Sequence, residues 1–337
     1  MNTITTKKTK CCSLCGNAGH TKSNKKFHPS TQNHETTETT DNKYNVGDIE
    51  LFFKTGTRGQ NDAHNKIREA ILCFLADPLN EEYSIHEKWN ILYNCFHAAL
   101  TAICKTNYSN VEIKTMAGRQ HNYDFAAIFY DSEHIEICRA KLEFKHNSKS
   151  LVKIPQILSL IDRHGLITEL SYSSYYYTNY LDAHLLVIGY TGAKPLLEEY
   201  VSLVSGIDYD KHPMFAFMKT AESAATKTIA KESIQKYLEI YWNKLNVVSL
   251  TTKLIESQRG KFFLLWDISN PNNAKFNIET LSDADLTITT VDRVKNKNAI
   301  VVASANYEFH LLLRWRNHAG IMNPAWQISL VKRPPNI

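Results

Sequence analysis

Between residues 84 and 145 the apolar residues change from helical to strand periodicity, and this change restricts the chain more than any other feature. Trp89, Leu92, Phe96, Leu100 and Ile103 recur at helical spacing, with Ser84 placed to cap a helix running to about Lys105. From residue 111 the pattern alternates, so that 111–116, 122–130 and 134–145 read as three successive strands, separated by turn-forming residues at 118–121 and 131–133. Upstream, 62–75 reads as a helix with Ile67, Ile71, Leu72 and Leu75 on one face and Pro78 beyond its end. Downstream, a helix is expected over 155–161 with Pro155 in its first turn, and a buried strand over 185–189. Helices over 195–204 and 221–245 precede strands over 262–268, 286–291, 299–303, 307–315 and 327–331. This order implies a mixed α/β (α+β) fold rather than a doubly wound sheet with regular alternation.

The chain has 337 residues, 43% of them hydrophobic and 22% charged, enough apolar material for a sizeable core. No apolar run reaches the roughly 18 residues of a membrane helix, so no membrane partner is expected. The start, MNTITTKKTKCC, lacks an apolar signal segment, and four of the seven cysteines (Cys73, Cys95, Cys104, Cys138) sit among apolar residues. An intracellular, reducing location without a disulfide framework follows as an expectation. The net charge of +5 is uneven: residues 1–45 carry +4 and residues 291–337 carry +5, leaving a slightly acidic middle. Basic ends suit a nucleic-acid partner only weakly, and charge alone favours the plainer reading of solubility. No internal repeat is present. The organisation expected is a disordered start plus a Cys/His module over 1–28, a linker over 29–45, a core over 46–205, and a helical then β-rich part over 206–337. That last part either recognises DNA or completes the core.

Glu143 and Lys145 lie two apart on the third strand and therefore share a face. Asp124 stands at the start of the preceding strand. Folding the hairpin about Ser132 brings Asp124 opposite roughly Ala140, and a bulge or twist closes the remaining gap to Glu143. Two carboxylates a few Å apart repel unless a cation lies between them. Mg²⁺ characteristically takes one or two carboxylates plus water and substrate phosphate, and a neighbouring lysine can orient the attacking water. The [D/E]-x-K tripeptide occurs three times, at Asp41–Lys43, Glu112–Lys114 and Glu143–Lys145, but only the third follows a strand that starts with an acid. The bland alternative is a polar meander face carrying surface ion pairs, each worth under about 1 kcal/mol.

Asp124 with Glu143-Phe144-Lys145, behind a helix and a first strand, resembles the PD-(D/E)xK nucleases, the superfamily of many type II restriction endonucleases. The resemblance covers about residues 62–190. It implies a core with a mixed central sheet flanked by helices, with Asp124, Glu143 and the Phe144 carbonyl binding Mg²⁺ and Lys145 assisting the attacking water. Tyr123 replaces the proline of the family motif. Many members carry a further acid on the preceding helix, for which Glu69 and Glu87 are both candidates. Some carry a glutamine on the helix after the motif, where Gln156 falls.

Cys12, Cys15, His20 and His28 supply two thiolates and two imidazoles, a tetrahedral Zn²⁺ set. The first three have zinc-knuckle spacing. The knuckle's final cysteine is missing, so His28, or instead Cys11 or His34, must serve as the fourth ligand. Near the C-terminus Arg314, Arg316, Asn317, Asn323 and Gln327 surround Trp315 and Trp326. Arg, Asn and Gln read base edges, and a hairpin with a polar loop is the alternative. The tyrosine-rich stretch 171–180 reads as core cover, with base stacking as the rival.

The function expected from the sequence is a Mg²⁺-dependent endonuclease of double-stranded DNA, of restriction type, with a structural zinc appendage. A homodimer is an accompanying expectation, because duplex DNA is two-fold symmetric. The alternatives are an inert zinc-containing nucleic-acid-binding protein and a nuclease of the same fold serving repair, junction resolution or transposition.

Overall fold

The computed structural model describes residues 45–57, 60–116, 121–162, 165–206, 211–269, 274–293, 298–317 and 322–333. Residues from Val46 onward form one compact unit of mixed α+β structure. The zinc-ligand candidates Cys12, Cys15, His20 and His28 lie outside the described residues.

The unit opens with α1 (Glu50–Phe53), α2 (Asn61–Phe74), α3 (Glu81–Ser84) and α4 (Glu87–Cys104). Ser84 does not cap the long helix. It ends α3, which Asn80 caps by accepting from the Tyr83 N–H, and α4 starts afresh after His86. Trp89, Leu92, Phe96, Leu100 and Ile103 are buried as their spacing requires. The meander follows as β1 (Asn110–Thr115), β2 (Phe125–Tyr130) and β3 (Glu136–His146).

The expected helix over 155–161 is absent. A 3-10 turn, Leu151–Lys153, leads into β4 (Leu158–Ile161), whose backbone pairs antiparallel with a C-terminal strand. A four-residue apolar run does not distinguish strand from helix, and long-range pairing decided it. The helices α5 (Tyr172–Asn179), α6 (Leu181–Val187), α7 (Leu197–Ser205), α8 (Pro213–Thr220), α9 (Ala224–Tyr241) and α10 (Val247–Gln258) come next. The run at 185–189 is therefore the end of α6 and not a buried strand, and Leu186 is 81% exposed. Gly189, at φ +72°, terminates the helix in a Schellman arrangement, its N–H bonding the Leu186 carbonyl and the Tyr190 N–H that of Leu185. Tyr172, Tyr175 and Tyr176 of α5 are buried, in line with core cover.

The last elements are β5 (Lys261–Asp267), β6 (Lys275–Glu279), α11 (Asp283–Leu286), β7 (Thr290–Arg293), β8 (Ala299–Ala303), β9 (Tyr307–Asn317) and β10 (Met322–Lys332). The strand expected over 286–291 is thus split between α11 and β7. Two five-stranded sheets result among the described residues. One has the order β1-β2-β3-β5-β6, antiparallel except where β3 runs parallel to β5. The other is antiparallel throughout, in the order β4-β10-β9-β8-β7. The sheet carrying Glu143 therefore draws two strands from beyond residue 205. The four described cysteines are free thiols.

Candidate active site

The hairpin register differs from the expectation by three residues. Ala127, not Asp124, faces Ala140, and Phe125 faces Leu142. The apex lies later, over 131–135, where the Asp131 carboxylate accepts from the N–H groups of Glu133 and Ile135, and a bulge sits at Phe129/Tyr130. Asp124 is thereby brought alongside Glu143 directly, and no further twist is needed. It stands just before β2, yet its backbone is held as in a strand. Its N–H bonds the Leu142 carbonyl at 2.9 Å and its carbonyl accepts from Met116 at 2.8 Å. Its Oδ2 accepts from the Phe144 N–H at 2.8 Å.

Glu143 has its side chain 13% exposed. Its Oε1 accepts from Lys145 Nζ at 2.5 Å, and its Oε2 accepts from Lys261 Nζ at 3.3 Å. The other strand-borne tripeptide provides a contrast. Glu112 and Lys114 pair at 3.1 Å on β1 with side chains 45% and 52% exposed, an ordinary surface ion pair. Identical spacing has given a solvated pair on an edge strand and a largely desolvated one on an interior strand.

Of the two acidic candidates upstream, Glu69 on α2 reaches the site and Glu87 does not. Glu69 lines a cavity of about 470 Å³ together with Asp124, Lys145, Thr55, Asn61 and Asn65. Glu87 is exposed at the start of α4 and does not line that cavity. Burial, followed by the negative charge of Asp124, raises the Glu69 carboxyl to about 7. Burial and the Glu143 charge likewise raise Asp124, against the lowering influence of Lys145, the Phe144 N–H and Lys261. Burial is the larger cause for both carboxyls, and carboxylate–carboxylate repulsion adds to it.

The other basic side chains lining the cavity, Arg68 and His146, are committed elsewhere. Arg68, buried on α2, donates to the Leu51 carbonyl at 2.8 Å, the Lys54 carbonyl at 3.3 Å and Asn65 Oδ1 at 2.8 Å. Burial lowers its guanidinium to about 10. His146, whose ring bonds the Phe52 carbonyl at 3.1 Å, is lowered by burial to about 4 and is therefore neutral at pH 7.

Gln156 is exposed on the irregular segment before β4, not on a helix, and its neighbour Pro155 lines the cavity. Arg314 and Arg316 project from one face of β9, both exposed. Gln327 of β10 donates to the Pro155 carbonyl at 2.9 Å, so its amide N–H is engaged at the cavity's border. The side chains of Asn317 and Asn323 lie outside the described part of the chain. Trp315 packs on Tyr172 and Tyr176 and donates to the Tyr172 hydroxyl at 3.1 Å, while Trp326 is fully buried. Both tryptophans thus serve the core.

Sequence reasoning did not find Lys261, Arg68 or His146 as parts of this region. Arg68 and His146 carry no local pattern that sets them apart, and Lys261 reaches Glu143 across 118 positions. Among the described residues no group of three or more His, Cys, Asp or Glu side chains is placed to hold a metal. The donors at hand are oxygens only: the free Oδ1 of Asp124 beside the carboxylate of Glu143. Such an oxygen pair fits a hard divalent cation that keeps several waters, with Lys145 giving up Glu143 Oε1 to it. Comparison of the chain with protein-family models and with curated proteins returns no match.

Proposed function

We propose that the protein is a Mg²⁺-dependent DNA endonuclease of restriction-endonuclease type, built on a PD-(D/E)xK-like core. The observation that carries the reading is the convergence of Asp124 and Glu143 from adjacent strands beside Lys145, largely out of solvent, with Glu69 as a third carboxyl. Asp124 and Glu143 would hold the cation. Bound Mg²⁺ would supply charge neutralisation at the phosphate and a more acidic water.

The protein's own groups do the rest. The Phe144 N–H holds one oxygen of Asp124 and so favours one orientation of the carboxylate. Lys145, which pairs with Glu143 Oε1 at the edge of the cavity, would orient the attacking water or stabilise the phosphate oxyanion. Glu69, near neutrality in its titration, accepts a proton from water at the edge of the cavity. Exposed Arg314 and Arg316 on β9 contact DNA phosphates or bases. The N-terminal Cys12, Cys15, His20 and His28 hold structural Zn²⁺, and a homodimer matches the symmetry of duplex DNA.

The test is digestion of long, unmethylated linear duplex DNA with Mg²⁺, alongside Asp124→Ala, Glu143→Ala and Lys145→Ala. Discrete fragments from the wild type, with a loss of about 10²-fold or more in each variant, support the reading. A smear lost in the variants keeps the chemistry and removes the restriction role. Cutting of branched substrates alone moves the role to junction resolution.

A second reading is favoured by one observation: Glu143 is already contacted by two ammonium groups, as in a self-sufficient ion-pair network. In that case the protein binds nucleic acid without cutting it, and binding survives both chelation and Asp124→Asn.

A further inference from the structure

Among the described residues Lys261 is the one buried lysine, 1% exposed. A buried ammonium is tolerated only when it is paired and hydrogen-bonded; Lys261 lies over the Phe263 ring, and both of its hydrogen bonds lead to the same place. It donates to Glu143 Oε2 at 3.3 Å and to the backbone carbonyl of Asn122, two residues before Asp124. The Asn122 side chain in turn donates to the Ser257 carbonyl at 2.6 Å, at the end of α10. The α10–β5 turn therefore grips the approach to Asp124 at two points. Gly260, at φ +69°, makes that turn and delivers Lys261 to the first position of β5. One ammonium thus ties together the two segments that carry the acidic pair, although neither belongs to its own strand.

The division of labour on Glu143 is also specific. Lys145, 26% exposed, holds Oε1 from the solvent side, and Lys261 holds Oε2 from within. We propose that Lys261 is a positioning residue that retains Oε2 of Glu143, presents Oε1 to a divalent cation, and steadies the Asn122 carbonyl behind Asp124. The inference rests on the metal-site part of the reading above, and not on DNA cleavage. Lys145 can leave for water or phosphate without freeing Glu143, because the inner contact remains. Were Lys261 merely a neutralising charge for the fold, its removal would change stability and leave metal affinity alone.

The experiment measures Mn²⁺ binding to the full chain by titration calorimetry, with thermal unfolding in parallel, for wild type, Lys261→Met, Lys261→Gln and Lys261→Arg. Methionine removes the charge and both hydrogen bonds while keeping the length of the side chain. Glutamine is too short to span both acceptors, whereas arginine keeps the charge and can donate to two. The expected result is a loss of Mn²⁺ affinity of about 10-fold or more in the Met and Gln variants, as for other residues that orient a metal ligand. Arginine recovers most of the affinity. The Mg²⁺ concentration for half-maximal cleavage moves by the same factor, while kcat at saturating Mg²⁺ changes far less. A folded Met or Gln variant with wild-type Mn²⁺ affinity overturns the proposal, and if Met fails to fold, Gln decides. Wild-type protein with no Mn²⁺ site sensitive to Asp124→Asn overturns it as well. An intact Mn²⁺ site in a protein that cuts no DNA removes only the nuclease reading and leaves the role of Lys261 standing.

Discussion

Replacing Glu69 with glutamine should stabilise the metal-free protein, and should do so increasingly as pH rises. The wild-type carboxyl is held at about 7 rather than its ordinary 4.5, by burial first and by Asp124 second. Below pH 4.5 it is protonated in both folded and unfolded chains, and glutamine gains nothing. Between 4.5 and 7 the unfolded chain releases the proton while the folded one keeps it, so wild-type stability falls through that window. Above 7 the penalty is complete. For a fully buried group that displacement would correspond to about 3 kcal/mol. Glu69 is only half-buried, and solvent screening reduces this to about 1–2 kcal/mol. For a unit of this size that is a rise in Tm of roughly 2–3 °C at pH 8. The assay is thermal or denaturant unfolding of both proteins with chelator at pH 5, 6, 7 and 8. Adding Mg²⁺ at pH 8 should narrow the gap, because a bound cation offsets the repulsion only where the carboxylates remain. A difference that stays flat with pH, or a variant less stable at pH 8, would refute the claim that Glu69 shares a strained acidic site.

Three further outcomes are expected. Arg314→Ala combined with Arg316→Ala weakens duplex binding in fluorescence anisotropy and lowers the salt slope by about two, near 0.9 per lost phosphate contact, with little change in stability. The full chain carries one equivalent of zinc by elemental mass spectrometry, and Cys12→Ser with Cys15→Ser abolishes it; zinc retained by that variant would sink the assignment. Gly260→Ala meets no neighbouring atom but must hold φ near +69°, so it costs about 1–2 kcal/mol in unfolding measurements through backbone strain alone.

Much of this architecture is legible locally. The apolar stripe of α4, the continuous apolar run of β2 and the alternation of β3 are set within a window of a few residues, because helix and strand periods are properties of neighbouring side chains. The candidates Asp124, Glu143 and Lys145 were accessible for the same reason: a hairpin places them from its own alternation. The failures were also physical. The runs at 155–161 and 185–189 are too short for period to arbitrate. Pairing with β10 made one a strand, and Gly189 in the left-handed region ended the other as a helix.

What the sequence determined by itself is the class of fold, the position of the meander and the identity of two carboxylates with a lysine at a hairpin. What only the tertiary structure decided is which acid joins them, how far the pair is desolvated, and what holds it. Glu69 and Glu87 are equivalent as letters on neighbouring helices, yet only α2 sets its acid against Asp124. Glu112–Lys114 and Glu143–Lys145 have the same spacing, yet one lies on an edge strand and the other between β2 and β5. Lys261 reaches Glu143 because β3 and β5 run side by side in parallel. Burial and convergence of charge depend on which distant segments pair, and no local window carries that information.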